Sequence, residues 1–285
     1  MIKKRTIASV FLAVSSLLTS ISAQGYTLEI PRQISRAIAD RLDVNFKNAR
    51  QSSVPEKASN VWDALSYTSI DAGVRGDSDL YQATLGVDQR WNNLDVGVAV
   101  TYARLEQSGF FSSEKSNLPG FTPYVDYIVN PYLHVTAMGG YIRKEGVGKD
   151  SFNVNTAFTD ISLNSEIPII SGLSLNPRAG YRFAYSDFDI PNFGNATTYT
   201  NTLYAQGRLA YTIKNVSIYF DSLYERVVVE DKLPNPADGG DLVFITVGID
   251  YNVNQVVSVG VAYRHEIVEN NVDYHQGTAH MSMRF

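Results

Sequence analysis

The last nine residues alternate without a slip. Gly277, Ala279, Met281, Met283 and Phe285 interleave with Thr278, His280, Ser282 and Arg284, and because strand side chains repeat with a period of two, the first five share one face. The segment then stops on an aromatic. A water-soluble edge strand gains nothing from that ending, whereas the closing strand of a membrane barrel places an aromatic at the water–lipid interface. Gly277, Ala279, Met281, Met283 and Phe285 are therefore read as the outward face, and the membrane-insertion signal, of a closing strand.

Upstream segments repeat the pattern. Tyr81, Ala83, Leu85, Val87 and Trp91 fall on one face and Gln82, Thr84, Gly86, Asp88 and Arg90 on the other; Val243, Ile245, Val247, Ile249 and Tyr251 continue the apolar series, as do Val257, Val259, Val261 and Tyr263. Tyr81 and Trp91 lie ten residues apart on the same face. At about 3.3 Å per residue and a tilt of about 40°, they are separated by roughly 25 Å along the membrane normal, the height of the apolar band between two aromatic girdles. Trp62, Tyr81, Trp91, Tyr102, Tyr251 and Tyr263 are assigned to those girdles.

Connections of two kinds separate the strands. Tight turns are expected at Asn92-Asn93, Asn130-Pro131, Pro168 to Gly172, Lys214-Asn215 and Val253-Asn254. Longer loops are expected at Gln107 to Gly120, Glu145 to Ser151, Asp187 to Thr197, Glu230 to Gly240 and Glu269 to Asp273. Short periplasmic turns opposite long extracellular loops are the asymmetry of outer-membrane barrels. The fold class expected is all-β: a transmembrane antiparallel β-barrel of about twelve strands with an N-terminal α-helix.

Three regions follow: a signal peptide over 1–23, a helix and linker over 24–60, and the barrel over 61–285. Lys3, Lys4 and Arg5 precede an apolar run from Ile7 to Leu18, with Ala23 as the cleavage position. That run is shorter than the roughly 20 residues a spanning helix needs, so it reads as a leader for Sec export to the outer membrane. From Pro31 to about Arg50 the period becomes helical: Ile34, Ile38, Leu42 and Phe46 recur four apart among Arg32, Arg36 and Arg41. A plug through the lumen and a helix lying on the membrane both fit this pattern. A net charge of −5 argues against nucleic acid, and the absence of Cys excludes disulfide staples. The mean hydropathy of −0.13 suits strands that alternate lipid-facing with polar residues.

Several segments resemble the translocator barrel of autotransporters: Trp62 opening the first strand, Leu85-Gly86-Val87-Asp88, Leu94-Asp95-Val96-Gly97-Val98-Ala99 with Tyr102, and the terminal Phe285. The resemblance covers roughly Val61 to Phe285. It implies twelve strands, a helix in the pore and assembly by the outer-membrane insertion machinery through the last strand. Only Gln24 to Ile30 lies between leader and helix, so a passenger-less member is expected; Asn45 and Asn48 are not adjacent, and no self-cleavage site is carried over.

Enzymatic chemistry is not expected. No nucleophile-elbow or clustered metal-ligand spacing appears, and no catalytic, cofactor or metal residues are assigned. His265 and His275 are expected to face each other across the last hairpin on the outward rim, a geometry able to bind a metal or titrate together, and are read first as interfacial polar side chains beyond the apolar band. His134 and His280 are placed in the lumen. Phe110, Phe111, Phe188 and Phe193 are placed in outer loops, either as a contact surface or folded over the mouth to cap the lumen. The function expected is a membrane-resident barrel with a pore narrowed by the helix; a surface adhesin and a rim hydrolase are the alternatives. Its partners would be outer-membrane lipid, lipopolysaccharide, the assembly machinery and a host surface ligand.

Overall fold

A computed structural model of the chain describes residues 29–43, 46, 57–71, 77–108, 113–147, 153–190, 194–231, 240–254, 256–267 and 273–285. The strands are β1 (Lys57–Asp71), β2 (Asp77–Trp91), β3 (Leu94–Ser108), β4 (Ser113–Asn130), β5 (Leu133–Val147), β6 (Asn153–Ser165), β7 (Ile167–Ile170), β8 (Leu173–Ile190), β9 (Gly194–Ile213), β10 (Val216–Asp231), β11 (Asp241–Asn252), β12 (Val257–Glu266) and β13 (Asp273–Arg284). The short β7 carries on from β6 past Glu166, and both pair with β8, so the barrel has twelve staves. β6 also pairs with β5, and β1 pairs with both β2 and β13, which closes the antiparallel sheet without an edge.

Closure rests on the strand read first. β13 is registered against β1 from Asn60↔Arg284 to Asp71↔Asp273, and Phe285 adds two backbone bonds with Ser59 (N to O 2.8 Å; Ser59 N to Phe285 O 3.3 Å). The Phe285 ring stays 71% exposed. Deleting Phe285 removes both bonds and the interfacial ring, and is expected to lower severalfold the amount of heat-modifiable protein in the membrane fraction; unchanged amounts would show that the terminal residue is dispensable.

The tight turns lie where expected, at one end of the barrel. Asn92 and Lys214 have φ of 54° and 53° and Gly172 has 81°, the left-handed values a short hairpin connection demands. At the other end the strands run further than expected. Asn117, Pro119 and Gly120, read as loop, pair with Arg104, Tyr102 and Thr101. The prolines misled because they lack an N–H; β4 spends that defect on its β5 side, where pairing skips Pro119 and Pro123. β1 likewise starts at Lys57, four residues into the expected linker. The leader, the rest of the linker, and Phe110, Phe111 and Phe193 lie outside the described residues.

Two assignments are corrected by parity. In β1 the odd positions Val61, Leu65 and Tyr67 face outward, so Trp62 points inward and is 3% exposed; it is not a girdle residue. In β8 the outward series Tyr181, Phe183 and Tyr185 leaves Phe188 on the inner face. It sits opposite Val154 and Ala196 at 0% exposure, so it presents no contact surface. Tyr81, Trp91, Tyr102, Tyr251 and Tyr263 are exposed on the outer face.

The outer face also carries a device that the sequence reading missed. At the end away from the termini, six hairpins are each latched by an outward tyrosine on the first strand, bonded to a polar side chain on the second. Tyr67 bonds Asp79 (2.7 Å), Tyr102 Asn117 (2.9 Å), Tyr141 Asn155 (2.6 Å), Tyr224 Asp241 (2.8 Å), Tyr263 His275 (2.5 Å), and Tyr181 bonds Asn201. Each partner lies one diagonal step further toward the rim. A phenol with its ring in hydrocarbon and its hydroxyl in the polar layer matches the membrane–water boundary.

Candidate functional site: the helix seat in the lumen

Residues 29–43 are helical, as is Phe46, and no helix among the described residues is long and apolar enough to cross a membrane. The helix instead lies inside the barrel. Its side chains touch β1, β2, β5, β9, β10, β11 and β13, walls that surround it. This decides between the two placements left open by its amphipathic pattern.

The apolar stripe and the charged stripe face different halves of the wall. Ile30, Ile34, Ile38 and Leu42 join a cluster with Trp62, Leu80, Leu105, Met138, Ile142 and Phe158, from β1 to β6. The opposite side of the helix meets charges from β9 and β10 (Arg208, Asp221, Glu225) and hydroxyls from β11 and β13 (Thr246, Tyr274). Removing these stripes from water on both sides is what holds the helix; an isolated helix this short would be marginal.

Every charged side chain of the described helix has an opposite charge beside it. Arg32 bonds Glu225 (2.7 Å) and Glu29, and Glu29 accepts a bond from the Tyr274 hydroxyl (2.6 Å). Arg36 bonds Asp221 (2.7 Å), and Asp40 takes Arg208 (2.8 Å). Arg41 lies 3.5 Å from Asp88, and Asp43 lies 3.2 Å from His134 Nε2. The His134 ring stacks on Phe46 with centroids 4.4 Å apart and also bonds Asp126 (2.8 Å) through Nδ1. Removing one partner from such a buried pair costs about 3–5 kcal/mol, because the other is left charged and unpaired. His134 and His280 are both in the lumen, as expected; His280 lies 3.2 Å from Asp250.

The segments that carried the family resemblance build one wall of this seat. Trp62 lies over Gly86, directly across the β1–β2 ladder, and Tyr124 lies over Gly97, directly across β3–β4. A Cβ at either glycine would fall 2.2 Å from the aromatic ring. Trp62 Nε1 donates to the Tyr124 hydroxyl (2.8 Å), which donates to Asp88 (3.2 Å), the carboxylate facing Arg41. Gly97→Val therefore overpacks the seat and is expected to destabilise the folded barrel by about 3 kcal/mol in urea unfolding. Gly207→Ala, where a Cβ meets nothing, should stay within about 0.5 kcal/mol of the parent.

Between the charged side of the helix and the wall a cavity of about 80 Å³ remains, lined by Arg36, Asp40, Arg264, Gln276 and His280 among others. Both terminal nitrogens of the buried Arg264 lack a hydrogen-bond partner, while its guanidinium lies over the Phe244 ring.

The closed antiparallel barrel fold is shared with known structures. The β domain of the Bordetella autotransporter Brka matches 80% of this chain and all of its own, with a TM-score of 0.68 and 11% identity. The translocator domain of the autotransporter NalP from Neisseria meningitidis covers 88% of this chain and 97% of its own, with a TM-score of 0.62 and 13% identity. The chain has the autotransporter translocator fold. An outer membrane channel from Pseudomonas putida is also similar, with a TM-score of 0.61, 11% identity, 82% of this chain and 97% of its own. No family model and no curated protein matches the sequence. The translocator fold, with its outward hydrocarbon band and its two aromatic rims, is that of an outer-membrane barrel.

Proposed function

We propose that this barrel resides in the outer membrane with its pore held nearly shut by its own helix. The observation that carries the reading is the pairing of Arg32, Arg36, Asp40, Arg41 and Asp43 of the described helix with opposite charges on the inner wall. Simple geometry supports it. Twelve strands about 4.8 Å apart and tilted by about 40° enclose a cylinder roughly 24 Å across between backbones. A helix with its side chains is about 10–12 Å wide, and the wall side chains occupy most of the remaining annulus. Outer-membrane lipid and lipopolysaccharide are the partners of the apolar band and its rims, and the assembly machinery is the partner of β13. Conductance after removal of residues 24–56 tests the plug.

A further inference from the structure

The last hairpin carries three ligating side chains on its outward rim, away from the lumen. β12 and β13 place His265 directly opposite His275, as the sequence suggested, and Asp273 stands two residues earlier on the same face of β13. The two imidazoles stack with centroids 4.9 Å apart and planes 24° from parallel. Asp273 Oδ1 is 2.9 Å from His275 Nε2 and 3.8 Å from His265 Nδ1. One ligand atom from each of the three lies within 4.8 Å of the other two.

The surroundings orient these rings. His275 Nδ1 meets the Tyr263 hydroxyl at 2.5 Å, and His265 Nδ1 meets the Tyr274 carbonyl at 3.1 Å. Metal-bound imidazoles are held this way, with one nitrogen fixed by a protein partner and the other free for the ion. Among the six latched hairpins this is the one whose tyrosine meets an imidazole rather than a carboxylate or an amide.

We propose that His265, Asp273 and His275 form a binding site for a divalent transition metal of the zinc class, with its fourth coordination position open to solvent. Two imidazoles and one carboxylate suit zinc, copper(II) or nickel, whereas calcium and magnesium require oxygen ligands. Around a tetrahedral zinc, ligand atoms sit about 3.4 Å apart. The 2.9 Å from Asp273 Oδ1 to His275 Nε2 lies near that value, and rotation of the exposed side chains brings His265 Nε2 to the same centre without moving the ladder. The ion would clip together the two strands of the closing hairpin.

The test is calorimetric titration of the tag-free full chain, folded in detergent, with zinc and separately with calcium. One zinc per chain is expected, weakened at least about tenfold by His265→Ala and by Asp273→Asn, with no calcium binding. Heat-modifiable mobility confirms that each variant is folded, and Asp273→Asn leaves the Tyr263–His275 bond in place. Absence of zinc binding, equal calcium binding, or zinc affinity unchanged in the His265→Ala/His275→Ala double variant would overturn the site. None of these readouts depends on whether the pore is closed.

Discussion

Removing residues 24–56, which leaves β1 whole from Lys57, is expected to raise single-channel conductance in planar bilayers at least about tenfold, because an obstacle about 10–12 Å wide leaves a lumen roughly 24 Å across between backbones. The barrel should survive the deletion. Its ladders close without the helix, and Asp88, His134, Arg208, Asp221 and Glu225 lose their helix partners to water rather than to a dry interior. Heat-modifiable mobility separates an open barrel from an unfolded one. Arg36→Glu reaches the same end without truncation: it sets a carboxylate where a guanidinium now lies 2.7 Å from Asp221, so channel openings should become more frequent. Conductance that stays at the parent level in both variants would remove the plug.

How far the sequence already disclosed this arrangement depends on what each residue touches. Strand faces were legible, since lipid on one side and an enclosed lumen on the other impose a strict period of two. The lengths were not, because Pro119, Gly120 and Pro123 carry loop chemistry yet lie within β4. Trp62 was misplaced by taking an aromatic as interfacial, and Phe188 by ending its strand at Asp187; parity from Val61 and from Tyr185 sends both inward. The inner face is not polar throughout. Leu80, Leu105, Met138, Ile142 and Phe158 show that one half is apolar, and these residues stood on the polar face of their strands as a visible signal that something dry lies against them. The helix stripe Ile30, Ile34, Ile38 and Leu42 is that partner, although only the closed ladder brings the two together. The tyrosine latches were hidden for a different reason: the partners are 12 to 20 residues apart in sequence, and their diagonal register becomes visible only once the hairpins are aligned.

Leu85→Arg is expected to destabilise the barrel in lipid by about 2–4 kcal/mol, measured by urea unfolding in vesicles. Leu85 is 52% exposed and lies on the outer face near the midpoint between Tyr81 and Trp91. In water an exposed leucine can become arginine at a cost within about 0.5 kcal/mol, since the new charge is solvated and no packing is lost. In a bilayer the same guanidinium sits at the depth where it is furthest from both headgroup layers, and its four-bond stem cannot reach either without bending the strand. Neighbouring Thr84 faces the lumen, so the two positions differ in solvent although they are adjacent in sequence. Placing the arginine at Tyr81 instead should cost only about 0–1 kcal/mol, because that position is already at the interface. A penalty for Leu85→Arg no larger than for Tyr81→Arg would mean that the apolar band does not face acyl chains, and the membrane-spanning reading would fall with it.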